Sequence, residues 1–373
     1  MTKVRTFHIN DVKSGMIIGT TIEDRLGRHL IERGTVLNDY RIGQLKSYGI
    51  RQVLIMFGKD ATGDEEVQLS PKAKKAVELL RKEDPAKVKL QNNVKKRIST
   101  GIELMYANPD PKELKNIANS IATDLIDAIE FNDAVALNIN DLQTNDEYTF
   151  KHSVDVATIA MIIAKTEKYS KQQIHDIGMS GLLHDIGKTK VPPNILNKPG
   201  RLTPDEFEIM KKHSEFGYDM VKDEPGIEKE ISLAVLQHHE KRDGSGYPYG
   251  IGEAEISDFA KILTVSDIYD ALVTDRPYKQ GIEPRQAVEM LMAMTGQLDM
   301  TALKAFLSSM ILYPVDSIVR LSNGEIARVV RKNDSYLMRP MVVGVMSGTV
   351  YDLASKQCQN IVIVGEGYDG GRS

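Results

Sequence analysis

Cysteine is almost missing from this chain: Cys358 is the only one among 373 residues. No disulfide can form within the chain, and the composition is compatible with the cytosol. Long apolar runs are missing too. None approaches the ~20 residues needed to cross a bilayer, and the opening Met1-Thr2-Lys3-Val4-Arg5-Thr6 lacks the apolar stretch of a signal peptide. The expectation is a cytoplasmic protein without a membrane span. Nor is there a strong charge of one sign: 48 basic and 52 acidic residues leave a net charge of −4. Global attraction to DNA or to an anionic membrane is therefore not expected, and any phosphate binding falls to local basic groups. The lysine-rich stretch from Lys72 to Arg97 is interleaved with Glu78, Glu83 and Asp84 and holds no aromatic residue. It reads as a solvated helical face rather than a nucleic-acid arm. Internal repeats are absent as well.

What is present suffices for a multi-domain globular protein: 41% hydrophobic residues over a length that suggests two or three domains. Residues 1–60 carry short β-like runs, Met16 to Ile22, His29 to Leu37 and Gln52 to Phe57, punctuated by glycines, with one helix near Asp39 to Tyr48. A charged helical linker follows over 61–110, in which Ser70-Pro71 forms a cap-then-proline helix start. From Lys112 to Leu312 the 3.6-residue period dominates, as in Leu114, Ile117, Ile121, Leu125 and Ile129, broken near Pro192-Pro193 and Pro199. Residues 111–312 are thus expected to be a helical domain. Residues 313–373 return to strands, with Asn323-Gly324 between apolar runs as a hairpin signal. The predicted fold class is mainly α, with a small β-rich N-terminal domain and a small β C-terminal appendage.

Five of the eight histidines fall in one ordered series of metal-ligand types: His152, His184-Asp185, His213, His238-His239, closed by Asp267. Imidazole suits first-row metals, and a carboxylate can bridge two of them, for which Asp185 is the natural candidate. Two divalent ions roughly 3.5–4 Å apart can activate water and clamp the attacking and leaving oxygens of a phosphoryl displacement. A lone histidine is by default a structural residue. Here, however, His184 ends the helical stripe Ile174, Ile177, Gly181, His152 opens the stripe Val156, Ile159, Ile163, and Asp267 lies in the apolar run Ile262 to Ile268. Several buried titratable groups without partners would be costly, and a common metal centre removes that cost for all of them.

The run Leu182-Leu183-His184-Asp185-Ile186-Gly187-Lys188, then Lys198-Pro199-Gly200, His213, His238-His239-Glu240, Asp243-Gly244-Ser245-Gly246-Tyr247-Pro248, Asp267 and Arg276-Pro277-Tyr278-Lys279 resembles the HD-GYP branch of the HD superfamily. The likeness spans about Tyr148 to Phe306 with the signature segments in order. Members of that family are bacterial phosphodiesterases of cyclic dinucleotides, chiefly cyclic di-GMP. The resemblance implies one metal on His152, His184, Asp185 and Asp267, and a second on Asp185, His213, His238 and His239. It further implies that Lys188, Arg276 and Lys279 contact phosphate, in keeping with the need for cations against two diester charges. Asp185 and Lys188 would carry the catalysis, with the linear dinucleotide, and after a second cut GMP, as products. The N/O ligand set suits two divalent ions, with iron or manganese expected.

Gly246 and Tyr247 belong to a loop expected to rim the site, shaping substrate access and contacts with partners. A diguanylate cyclase (GGDEF) bound through this loop, and a homodimer, are the partner expectations. Some members bind a third metal through an acidic residue one turn before the first histidine, where this chain has Tyr148; Glu147 is displaced by about 100° on a helix. A dinuclear centre is expected. The alternatives are the same chemistry on 3′3′-cyclic GMP-AMP, or a non-catalytic nucleotide-sensing module.

Overall fold

The computed structural model describes residues 3–9, 12, 16–23, 29–31, 35, 37, 39–48, 50–57, 69–85, 92–131, 148–274, 281–333 and 335–366. The chain divides into two compact units, Met1–Lys74 with Val345–Gly348, and Lys75–Gly344 with Thr349–Ser373. Among the described residues, no helix is long and apolar enough to cross a membrane.

In the first unit β5 (Gln52–Phe57) runs antiparallel between β1 (Lys3–His8) and β2 (Ile17–Ile18), pairing Lys3 with Phe57 and Ile17 with Met56. A separate ribbon joins β3 (Ile22–Glu23) to β4 (His29–Ile31), and α1 (Asp39–Ser47) supplies Ile42 and Leu45 to a core with Ile18, Leu37, Val53 and Ile55. Sequence patterning misses β1, whose residues Lys3 to His8 mix charged and apolar types without a clear alternation.

The second unit is predominantly helical. The lysine-rich stretch forms α2 (Pro71–Leu80) and α3 (Asn92–Ala107) rather than one continuous helix, with residues 86–91 outside the described set. Ser70 Oγ accepts from the Ala73 amide, as the cap-then-proline start predicts. Ala73 and Val77 are buried while Lys72, Lys74 and Lys75 are exposed, the solvated face expected. α4 (Pro111–Phe131), α5 (Tyr148–Thr166) and α6 (Lys171–Leu183) follow, then a 3-10 turn, Ile186–Lys190. Next come α7 (Pro193–Leu196), α8 (Pro204–Lys211), α9 (His213–Val221) and α10 (Lys229–Gln237). α11 (Asp258–Val273), α12 (Pro284–Ala293) and α13 (Met300–Ser309) complete the helices.

α5 and α11 are apolar almost all round. That is why they are central: a helix without a polar face must be covered on every side. Val156, Ile159, Ile163, Ile262, Leu263, Val265 and Tyr269 are all buried in one core with residues of α4, α6, α10 and α13. The strands that follow form an antiparallel sheet ordered β10-β6-β7-β8-β9: β6 (Ile318–Leu321), β7 (Ile326–Arg331), β8 (Met341–Gly344), β9 (Val350–Asp352) and β10 (Ile363–Glu366). The Asn323-Gly324 hairpin connects β6 to β7 as predicted, and alternate residues Val319, Leu321, Ala327 and Val329 face a small core of their own. The mainly α class with small β parts at both ends stands. β9 escapes sequence patterning because Val350–Asp352 is too short to show a period.

Candidate metal centre

The ordered histidines meet because helix ends meet. His184 caps the C-terminus of α6, His213 follows α8 directly after its cap Lys212, and His238 caps α10. The last carbonyls of a helix have no partner within it, and each of these imidazoles uses one. Nδ1 of His184 donates to Gly181 O (2.7 Å), that of His213 to Met210 O (2.7 Å) and that of His238 to Val235 O (2.8 Å). A carbonyl can only accept, so all three rings carry their proton on Nδ1 and leave Nε2 as a bare lone pair.

Those lone pairs converge on Asp185. Its Oδ2 lies 3.3 Å from His184 Nε2 and 3.6 Å from His152 Nε2, whereas its Oδ1 lies 3.4 Å from His213 Nε2 and 4.0 Å from His238 Nε2. One carboxylate thus presents a different oxygen to each of two groups, His152, His184 and Asp185 on one side and Asp185, His213, His238 and His239 on the other. Asp267 adds a second carboxylate, Oδ1 being 3.2 Å from His152 Nε2 and Oδ2 3.6 Å from His239 Nδ1. It contacts a member of each group without joining either compact set.

These residues fit divalent ions. His184 Nε2 and Asp185 Oδ1 are buried without a hydrogen-bond partner, an arrangement that costs free energy unless something else occupies them. His213 Nε2 and His238 Nε2 face each other at 3.3 Å with both protons already committed elsewhere. Two lone pairs at that distance repel unless a cation lies between them, and atoms bonded to one ion at roughly 2.0–2.1 Å come about that close.

Electrostatics agree. Burial pushes His238 well below the usual imidazole range and His239 to about 3, and it lowers His213, so all three are neutral, the form a metal needs. Burial would raise Asp185 and Asp267, but the Lys188 ammonium outweighs it for the first and the hydrogen bond from His152 for the second; both are held well below the carboxylate range. His152 differs. Burial works against its charged form, yet hydrogen bonds to Asp267 and Asp270 prevail and raise it to about 10.

That imidazolium has a measurable consequence. Below about 10 His152 must lose its proton before Nε2 can bind an ion, so metal affinity is expected to rise with pH towards that value, with a proton released on uptake. Calorimetric titration at about pH 8 in two buffers of different ionisation enthalpy counts the proton. A count of zero would contradict the assignment.

Other site residues show the supporting structure. Lys188, three residues after Asp185 on the 3-10 turn, contacts Asp185 Oδ2 with its ammonium. Gly187, between them, packs so closely that an added Cβ would meet His213 O at 1.9 Å; this approach seats Asp185 beside His213. Gly246 is equally constrained, because its Cβ would meet Glu240 Cα and His239 O at 2.5 Å. The close approach is to the chain's own backbone, and it folds the loop over the histidine pair. Tyr247 lies at the rim, its ring 4.5 Å from that of His239. Arg276 and Lys279 lie outside the described residues, as do Asp146 and Glu147, and for Tyr148 only the backbone is described.

Sequence reasoning missed two residues. Asp270, fully buried on α11, accepts from His152 Nδ1 at 2.7 Å and from Thr274 Oγ1 at 3.0 Å, aiming Nε2 of the imidazole at Asp267 and Asp185. Its spacing of three from Asp267 on a helix was the available signal. Glu240, also buried, receives the amides of Tyr249 (2.7 Å) and Gly250 (3.2 Å) and ties down the loop. Its position beside His239 gave no hint of this.

The family model of an HD domain matches residues 136–302. A cyclic di-GMP phosphodiesterase of Pseudomonas aeruginosa is 31% identical over 346 residues, covering 90% of this chain and 83% of that protein. A cyclic di-GMP phosphodiesterase response regulator of Xanthomonas campestris is 38% identical over 141 residues, or 38% of this chain and 37% of the regulator. A 3′3′-cGAMP-specific phosphodiesterase of Vibrio cholerae is 36% identical over 144 residues, covering 39% of this chain and 31% of that enzyme. With likeness running through most of its own length and most of the Pseudomonas relative's, this chain belongs to the HD-GYP family of HD-domain phosphodiesterases.

Proposed function

We propose that the protein is a dinuclear metal-dependent phosphodiesterase that hydrolyses cyclic di-GMP to the linear dinucleotide and then to GMP. The observation carrying this reading is the Asp185 carboxylate, whose two oxygens face separate sets of buried imidazoles with committed Nδ1 protons. His152, His184, Asp185 and Asp267 would hold one ion, and Asp185, His213, His238 and His239 the other. Ions so held supply Lewis acidity and lower the pKa of water. Iron and manganese both suit the N/O donors.

The chain's own residues do the rest. Lys188 brings a cation beside Asp185 and steadies charge on the phosphate oxygens. Asp270 fixes the His152 ring, and burial of the histidines excludes water from competing. Tyr247 narrows the entrance beside His239. Arg276 and Lys279 would add phosphate contacts from the segment after α11. We assign this chemistry to residues 111–312, with the loop Gly246-Tyr247-Pro248 as the surface for a diguanylate cyclase, and expect the chain to form a homodimer.

A second reading keeps the chemistry and changes the substrate to 3′3′-cyclic GMP-AMP, which the Vibrio relatives favour by name. Purification without oxygen, metal quantification, and parallel turnover assays on cyclic di-GMP, cyclic GMP-AMP and a generic phosphodiester test both. About two ions per chain and preferential turnover of cyclic di-GMP are expected. Faster turnover of cyclic GMP-AMP moves the assignment to the second reading, and metal-loaded protein inert towards both dinucleotides refutes it. Close to three ions per chain would replace the dinuclear centre with a trinuclear one.

A further inference from the structure

α8 has no fully buried residue, yet its start is firmly tied. Thr203 Oγ1 accepts the Glu206 amide at 3.3 Å, the Glu206 carboxylate accepts the Thr203 amide at 2.7 Å, and Lys198 Nζ lies 2.6 Å from Glu206 Oε2. Capping rather than burial orders this helix, so the fold does not require a large ring on its outer side. Phe207 nonetheless puts one there, 46% exposed.

That ring belongs to a series leading inward. Its centroid is 6.1 Å from that of Tyr247, with the planes at 80°, and Tyr247 in turn lies 4.5 Å from His239 at 32°. Lys211, one turn beyond Phe207, sets its ammonium 5.6 Å from the Phe207 centroid and 5.9 Å from that of Tyr247, while Glu208 Oε1 holds the same ammonium at 2.7 Å. The cation faces both rings and keeps them at their angle. The Phe207 ring is about half open to water, and Tyr247, which it meets nearly at right angles, lies against His239, so an aromatic group resting on Phe207 would sit at the edge of the candidate metal centre.

We infer that Phe207, at right angles to Tyr247, is the stacking subsite for one purine base of the cyclic dinucleotide. The inference rests on the function proposed above and adds to it a substrate-binding residue outside the metal-ligand motif. Base stacking on an aromatic side chain corresponds to about 5- to 150-fold in affinity. It acts on binding and leaves the reacting bonds alone.

The test uses the full chain with Phe207→Ala and Phe207→Trp. Kinetics are followed on cyclic di-GMP and on methyl p-nitrophenyl phosphate, a diester without a purine. A cyclic dinucleotide carrying 2-aminopurine reports stacking by fluorescence quenching, with and without metal. For Phe207→Ala the expected result is a KM for cyclic di-GMP raised about 5- to 150-fold, with kcat, metal content and the rate on the purine-free diester as in the parent. Phe207→Trp restores KM, and quenching is lost only in the alanine variant. An unchanged KM, or equal losses on both substrates, overturns the inference, the second because it marks a structural role. If the parent turns over no cyclic dinucleotide, the proposed function fails, and 2-aminopurine quenching still decides the subsite.

Discussion

Asp185→Ala is expected to abolish hydrolysis of cyclic di-GMP and to lower the metal content of the purified protein, with the helical circular-dichroism signal retained. The reason is geometric. Asp185 is the one residue common to both ligand groups, reaching His184 at 3.3 Å with Oδ2 and His213 at 3.4 Å with Oδ1. Removing a partner that only orients a ligand costs roughly 10- to 100-fold in affinity or activity, so loss of the shared ligand should exceed that. Asp185→Asn separates charge from shape. It keeps the side chain's volume but removes the negative charge that two cations would share, and the same loss is expected. Either variant turning over substrate at the parental rate would refute the bridging role.

Gly187→Ala should be nearly as damaging, although it touches no ligand chemistry. A methyl group there would lie 1.9 Å from His213 O and 2.4 Å from Gly217 N, backbone atoms that cannot swing aside. The 3-10 turn and α9 must separate, which carries His213 away from Asp185. Overpacking of this kind typically destabilises by about 1–3 kcal/mol. The variant should therefore melt lower, bind less metal and lose most activity. Gly252→Ala is the control, because its added methyl group meets nothing within 4 Å; a change within about 0.5 kcal/mol is expected. Equal melting temperatures for the two variants, measured by denaturation with metal removed, would show that the close approach at Gly187 does not hold the site together.

Much of this architecture is legible along the chain because it is written in periodicity. The stripes ending at His184 and starting at His152 follow the 3.6-residue repeat, and both histidines are buried, as those stripes demand. The Asn323-Gly324 hairpin is a local signal and forms as expected. Two strands were not legible: β1 and β9 hold their places through neighbouring strands, which single-strand propensity does not register. The lysine-rich stretch reads as helix on composition, and only the structure ends α2 at Leu80.

The candidate site divides the same way. Which side chains can bind metal follows from residue type and order, for imidazole and carboxylate chemistry is intrinsic to the residue. Orientation is not. That His184, His213 and His238 each spend Nδ1 on a helix-end carbonyl, that Asp270 aims His152, and that Gly246 folds its loop against His239 rather than a ligand all depend on where helices end and what packs beside them. Hydrogen-bond direction and close packing arise between segments distant in the chain, so they exist only once tertiary contacts have formed.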